Sequence, residues 1–348
     1  MRRTTSRPKP PEITVWELTR KCNLKCMHCG SNAGPTQKQE LSTAEASQVC
    51  RDLSTLGCKG IALMGGEVFL RNDWSVISKE IKDQQIILSI ISNGYVSPTR
   101  ILPLLTKIEP DCLMIGLDGA TAEIHDKIRG ITGAFTKTMT FIRSAKKIQL
   151  PVSIITTIHK GNFKELPKLR DLVLHEELNW QIQEASPIGR FPRQLMLSEK
   201  EYYALGIFIT ALQKTMAKKQ LSLVGAHNLG FHSKILPNLS SYPTWHGCYA
   251  GKTVLGITSS GDVKGCLALP DEYIEGNVRK KKISDLWNDP TRFVYTRTPI
   301  TQSFGSNCQE CPHRQNCKGG CTTRSHATTG IPHNDSHCFY RIEQRDIL

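Results

Sequence analysis

Cys22, Cys26 and Cys29 lie in the run Cys22-Asn23-Leu24-Lys25-Cys26-Met27-His28-Cys29, directly after a short β-like stretch at Ile13–Leu18. A loop this tight can turn three thiolates toward one point. Thiolate ligands select iron–sulfur clusters, zinc or copper(I). Structural zinc is normally closed by four ligands, yet no fourth cysteine lies close by and His28 would reach only through a strained turn. Three cysteines on a cubane cluster leave one iron open to a substrate or cofactor. On these residues alone, a zinc knuckle or three unrelated core cysteines stay open as alternatives.

The spacing resembles the C-x3-C-x-Φ-C signature of the radical S-adenosylmethionine (SAM) enzymes, with His28 at the usually aromatic position. The resemblance implies that the open iron chelates the amino and carboxylate groups of SAM, whose reductive cleavage yields a 5′-deoxyadenosyl radical. Gly65-Gly66-Glu67 matches the family's GGE motif, which contacts the SAM amino group. Paired glycines let backbone carbonyls approach an ammonium closely, and Glu67 supplies charge. Ser92 and Asn93 resemble the family's ribose-contacting positions. Asp118 and Arg190 sit where the family often contacts the adenosyl or carboxylate groups, and a structural salt bridge or turn explains either residue equally well.

A second set of cysteines runs Cys248, Cys266, Cys308, Cys311, Cys317, Cys321 and Cys338, with four residues between Gly261 and Cys266. The spacing resembles the seven-cysteine SPASM motif, and Ile274–Val278 with Ile283–Trp287 resembles the segment between its halves. A zinc ribbon plus stray thiols is the alternative. The resemblance implies two auxiliary [4Fe–4S] clusters, one on Cys248, Cys266 and Cys321, the other on Cys308, Cys311, Cys317 and Cys338. With the first triad that makes three [4Fe–4S] clusters and SAM as cofactors. Where some relatives supply a further cysteine to the first auxiliary cluster, this chain has Tyr242, so an open iron or a ligand such as His246 is expected there. Of 13 cysteines, the remaining three, Cys50, Cys58 and Cys112, read as buried small hydrophobes.

Positioning these residues takes a regular frame. Strand-like runs at Ile13–Leu18, Gly60–Met64, Ile86–Ser92, Cys112–Leu117, Val152–Ile158 and Asn179–Glu184 alternate with helical patterns at Thr43–Leu56, Trp74–Asp83, Pro98–Thr106, Phe135–Ile148 and Phe163–Leu174. Such alternation means parallel βαβ units with right-handed crossovers. Six units are too few for a closed eight-unit barrel, so the fold class is α/β, a partial (β/α)6 TIM-like barrel followed by a small Cys-rich SPASM domain. In a parallel barrel ligands sit at the C-terminal strand ends. The Cys loop, Gly65–Glu67, Ser92-Asn93, Asp118, His159 and Arg190 all follow strands. The expected division is a basic arm at 1–12, the barrel at 13–190, a helical bridge at 191–247 and the SPASM domain at 248–348.

The 348 residues carry a net charge of +14 and contain no apolar run of membrane-spanning length. No basic helix with interleaved aromatics marks a nucleic-acid surface, so the charge reads as a solvated face. Thirteen cysteines without an export signal argue for metal rather than disulfides, and so for a cytoplasmic location. The substrate is expected to be a peptide or small molecule and the reductant a flavodoxin or ferredoxin. Three reactions fit the resemblance: maturation of a ribosomally made peptide, remodelling of a haem precursor, and formylglycine formation in a sulfatase. The last is disfavoured, since Leu267 replaces the aspartate that follows the second SPASM cysteine in such enzymes. With about a dozen residues before the first strand, a peptide substrate would need a separate leader-binding partner or direct recognition at the barrel rim.

Overall fold

The computed structural model describes residues 8–34, 39–226, 228–237, 239, 245–298 and 304–346. One ten-stranded sheet runs through them. Its strands are β1 (Ile13–Thr19), β2 (Gly60–Gly65), β3 (Ile87–Ser92), β4 (Cys112–Gly116), β5 (Val152–Ile158), β6 (Asn179–Glu184), β7 (Leu223–Gly225), β8 (Val254–Ile257), β9 (Asp262–Lys264) and β10 (Gly276–Asn277). They stand in the order β10-β9-β8-β1-β2-β3-β4-β5-β6-β7, which does not close. β1 to β7 pair in parallel, β8 adds in parallel to the free edge of β1, and β9 and β10 follow antiparallel.

The helices are α1 (Thr43–Leu56), α2 (Trp74–Asp83), α3 (Pro98–Ile108), α4 (Ala122–Arg129), α5 (Ala134–Lys147), α6 (Leu166–His175) and α7 (Glu199–Lys218), then the shorter α8 (Ile283–Asn288), α9 (Val294–Arg297), α10 (Arg314–Cys317), α11 (Thr322–Thr329) and α12 (Phe339–Asp346). The strand alternation decides which face each residue takes. Trp16, Leu18, Ile61, Leu63, Leu88, Ile90, Leu113 and Ile115 point outward and are buried with the apolar faces of the helices. Burying each of the leucine and isoleucine side chains among them contributes roughly 1.5–3 kcal/mol. Their alternates face inward and line an open trough.

Local signals fix several boundaries. Ser42 and Glu45 form a reciprocal capping box at the start of α1, and Gly57 ends it in the left-handed region at φ 85°. Glu45 also receives Arg279 at 2.6 Å, pinning α1 to the segment after β10. The open α/β barrel matches the expected fold class. The structure adds α4, the parallel strand β7 and the three strands β8–β10 to the elements expected. The helix expected from Phe163 opens with a 3₁₀ turn at Phe163–Glu165 and continues as α6. Cys50 and Cys58 are buried as expected, whereas Cys112 lies only half-buried on the inner wall and meets Ser153 at 3.6 Å. Among the described residues no helix is long and apolar enough to cross a membrane.

Candidate active site

The end of β1 and the end of β2 are forced together by glycine. The Gly66 amide donates to Thr19 O at 2.7 Å and the Glu67 amide to Lys21 O at 2.8 Å. A β-carbon on Gly66 would stand 2.2 Å from Lys21 O, and one on Gly65 equally close to Thr19 O. Only glycine therefore lets the Gly65–Glu67 turn lie against the start of the cysteine loop. The same loop is braced from the far side. Gly189 sits at φ 60° with no room for a side chain against the Cys29 and Gly30 carbonyls. Next to it, the Arg190 amide donates to Cys29 O at 3.0 Å, and its guanidinium to Cys26 O at 3.1 Å and Ala33 O at 2.5 Å. Arg190 is thus engaged in holding the loop.

Each of the three thiols faces hydrogen-bond donors. The Leu24 amide donates to Cys22 Sγ and the Ala33 amide to Cys29 Sγ, both at 3.4 Å, and Asn93 Nδ2 approaches Cys22 Sγ at 3.8 Å. Arg129, at the end of α4, is the foremost positive charge acting on the Cys26 thiol. Burial pushes the Cys22 thiol up to about 11, with Glu67, Cys26 and Cys29 adding to the rise, and burial likewise raises Cys26. As free thiols these groups hold their protons. Metal coordination displaces such protons, and the surrounding N–H groups then face anionic sulfur, so this donor set fits a thiolate-bound cluster. Among the described residues, no three His, Cys, Asp or Glu side chains converge tightly enough to hold a single metal ion. Ligands spread over separate irons of a cubane need no such convergence, whereas a tetrahedral zinc does.

Glu67 is fully buried. Its carboxylate accepts from the Phe69 amide at 3.2 Å, from Ser92 Oγ at 2.9 and 3.0 Å and from the Asn93 amide at 2.8 Å. Burial raises its pKa to about 7 against the lowering pull of those donors. The three expected SAM-contacting residues Glu67, Ser92 and Asn93 therefore form one hydrogen-bonded unit, and Asn93 Nδ2 reaches on to Asn23 at 2.8 Å in the cysteine loop. Asp118 is buried beneath the loop, with Arg129 Nη2 at 2.8 Å, His28 Nε2 at 3.3 Å and the Thr157 amide at 2.9 Å. Its carboxyl is held down at about 2; burial opposes this, and Arg129 is the foremost favourable neighbour. Arg129, His125 and His159 join this cluster; sequence reasoning placed His159 at a strand end without a role and left Arg129 and His125 out. His125 Nδ1 accepts from the Asp118 amide at 3.2 Å, and the His28 and His159 rings lie 6.1 Å apart. A clue to Arg129 was Gly116, in line with it across the barrel wall.

The C-terminal cysteines fall into two groups in space. Burial is the leading cause of every rise among them. Cys266 and Cys321 are each raised further by Cys248. Separately, Cys308 is pushed up to about 12 with Cys338 and Cys311 contributing, Cys317 rises beside Cys338 and Cys308, and Cys338 is raised to about 11 beside Cys311. Thr323 Oγ1 lies 3.8 Å from Cys266 Sγ, and the Cys321 amide donates to Asp335 at 2.8 Å. Tyr242 lies outside the described residues, and His246 is exposed whereas Cys248 is buried.

Comparison with known proteins agrees with this geometry. Residues 16–173 match the radical SAM superfamily model and residues 248–312 the SPASM iron–sulfur cluster-binding domain. An AdoMet-dependent heme synthase of Methanosarcina barkeri is 28% identical over 95% of this chain and 97% of its own length. The mycofactocin maturase MftC of Mycobacterium tuberculosis is 28% identical over 92% of this chain and 81% of its own. Among solved structures, SuiB of Streptococcus suis bound to S-adenosylmethionine aligns at TM-score 0.74 and 17% identity, over 90% of this chain and 74% of that one. The AdoMet-bound anSMEcpe aligns at TM-score 0.70 and 18% identity, over 96% and 95%. The chain belongs to the radical SAM superfamily and is an enzyme of the branch that carries a C-terminal SPASM domain.

Proposed function

We propose that this enzyme takes a hydrogen atom from an unactivated carbon of a ribosomally made peptide. When bound at Cys22, Cys26 and Cys29, a [4Fe–4S] cluster supplies the electron that cleaves SAM to the radical that takes the hydrogen. The chain's own contribution is positional. Gly65 and Gly66 bring backbone carbonyls up to the SAM ammonium, and buried Glu67 orients Ser92 and Asn93 for the ribose. Arg190 keeps the cysteine loop closed against solvent. Cys248, Cys266 and Cys321, and separately Cys308, Cys311, Cys317 and Cys338, hold two further clusters, three in all. These accept the electron left on the product and exchange electrons with a flavodoxin or ferredoxin.

The observation that carries the peptide reading is the trough wall. Met64, Ile91 and Met114 face inward from β2, β3 and β4, and Ser153, Gln181 and Gln183 from β5 and β6. Glu17, the one carboxylate facing inward on β1 to β8, is buried and accepts from Ser259 Oγ at 3.1 Å. Among the described residues those strands turn no lysine, arginine or histidine inward, and Arg129, whose guanidinium lies over the inward Gly116, is already paired with Asp118. An apolar side paired with an amide side suits a neutral side chain on a hydrogen-bonding peptide backbone. A polycarboxylate needs cations at its acids, because buried charge is costly unless paired. MftC and the peptide-bound SuiB, named for their maturase role and their precursor peptide SuiA, support this reading.

Remodelling of a haem precursor is the second reading, favoured by the full-length likeness to the heme synthase and by the net charge of +14. Anaerobic enzyme with SAM and reductant is offered either side-chain-deuterated precursor peptides from neighbouring genes or deuterated iron-coproporphyrin. Deuterium appearing in 5′-deoxyadenosine from a peptide supports the first reading. Transfer from the porphyrin alone overturns it.

A further inference from the structure

Arg129 stands where a guanidinium is costly to keep. It is 7% exposed at the end of α4, and the wall opposite is cut back to Gly116, whose β-carbon would lie 2.3 Å from Arg129 Nη2. Its Nη2 pairs with Asp118 Oδ2 at 2.8 Å; the Ile128 carbonyl next to it accepts from the Met27 amide at 2.9 Å, and the guanidinium is the foremost charge acting on Cys26. Asp118 is itself fixed, accepting from the Thr157 amide at 2.9 Å while its own amide donates to His125. The result is a guanidinium–carboxylate pair locked beneath the cysteine loop, with His28 Nε2 3.3 Å from the same carboxylate. A buried ion pair is poor evidence for stability, since apolar residues of like volume often do as well. The carboxylate alone would also have been satisfied more cheaply by amides. The cation's position against the cysteine loop therefore asks for a role there.

We propose that the Arg129–Asp118 pair sets the reduction potential of the cluster on Cys22, Cys26 and Cys29, Arg129 raising it and Asp118 limiting the rise. The inference rests on the reading that these cysteines hold a reducible cluster. Potentials of iron–sulfur clusters follow net charge, hydrogen bonds to the sulfurs and exposure. One electron enters from the flavodoxin- or ferredoxin-class donor and no proton moves. The cluster's charge falls by one, and the guanidinium beside the loop stabilises that more negative form. Asp118, paired with the guanidinium and 3.3 Å from His28 of the loop, carries the opposite charge and so opposes the effect.

The test is potentiometric titration of the anaerobic full-length enzyme followed by EPR. The relevant signal is identified by its loss in the Cys22→Ala/Cys26→Ala/Cys29→Ala variant. Arg129→Gln is expected to lower the reduced-to-oxidised ratio at the wild-type midpoint about tenfold, which is 59 mV for one electron. Asp118→Asn is expected to raise the midpoint. Opposite signs from two neighbours exclude simple loosening of the site, which would wet the cluster in both variants alike. Both midpoints unmoved, or both moved the same way, overturns the proposal. If Arg129→Gln fails to load iron, Asp118→Asn decides alone: a rise upholds the proposal, and no change or a fall overturns it. A wild-type enzyme with no signal dependent on the three cysteines overturns the cluster reading and this one with it.

Discussion

Arg324 is fully buried at the seam between the SPASM segment and the barrel, and its loss is expected to destabilise the protein by about 3–5 kcal/mol, the cost of breaking a buried ion pair from one side. It lies on α11, three residues after Cys321. It pairs with Glu184 at the end of β6, donates to both Asp335 oxygens at 2.6 and 3.0 Å, and reaches the carbonyls of Asn228 at 2.9 Å and His337 at 2.8 Å. Arg324→Met keeps the volume and leaves two buried carboxylates without their shared guanidinium, Glu184 with His337 at 2.8 Å and Asp335 with the Cys321 and His337 amides. Asp335 also holds the Cys321 amide, so cluster loading at Cys248, Cys266 and Cys321 should fall with stability. At an m-value of about 3–4 kcal/mol/M for a chain of this size, the urea midpoint of the anaerobic holoenzyme moves down by about 1 M. Tryptophan fluorescence and cluster absorbance report it together. Arg324→Met/Glu184→Gln/Asp335→Asn should recover much of the loss, because neutral amides are cheaper to bury. Glu184 supplies a pH signature. Arg324 is the first of its neighbours to hold its pKa below the ordinary carboxylate value, outweighing the upward push of burial. Its contribution is therefore present above the unfolded value and lost as the pH falls through the folded one, and Arg324→Met should remove that acid-side dependence. A midpoint within about 0.3 M of wild type, or a triple variant no better than the single, would refute the reasoning.

Two further changes probe the cysteine loop. Gly66→Ala places a β-carbon against Lys21 O, where the backbone must part; SAM affinity by equilibrium dialysis should drop at least about tenfold, roughly 1.4 kcal/mol, while iron content holds, and wild-type affinity would show the close approach to be dispensable. Arg190→Ala removes guanidinium bonds to Cys26 O and Ala33 O; on the three-cluster reading iron per chain should fall toward about two-thirds during dilution, and full retention would mean the loop holds itself.

Much of this site could be read from local spacing, and the remainder depends on contacts far apart in sequence. The C-x3-C-x2-C loop, Gly65–Glu67 and the strand-end polar residues each follow from a few adjacent residues and a period of two. The eight-residue α4 escaped because Ala122–Arg129 carries five charged or histidine side chains and only a narrow apolar stripe. Arg129 was lost with it, and so was the partner that explains why Asp118 is buried. Asp118 and Arg190 were located correctly at strand ends, but nothing nearby in sequence says that one sits under the loop and the other straps it. β8 to β10 are two to four residues long; β8 is held in place by pairing with β1, a strand more than 200 positions earlier, and β9 and β10 add to it in turn. Arg324 lies in a polar helix whose sequence reads as exposed; its burial follows from Glu184, 140 positions away.

The central claim is that Cys22, Cys26 and Cys29 build a centre that cleaves SAM. Its most direct test is 5′-deoxyadenosine formation by the anaerobically reconstituted enzyme with SAM and a strong reductant, beside the Cys22→Ala/Cys26→Ala/Cys29→Ala variant. The account predicts 5′-deoxyadenosine from the wild type and none from the variant, which retains the iron of its C-terminal cysteines. Tetrahedral zinc in place of iron in the wild type, or equal 5′-deoxyadenosine from both proteins, would contradict it.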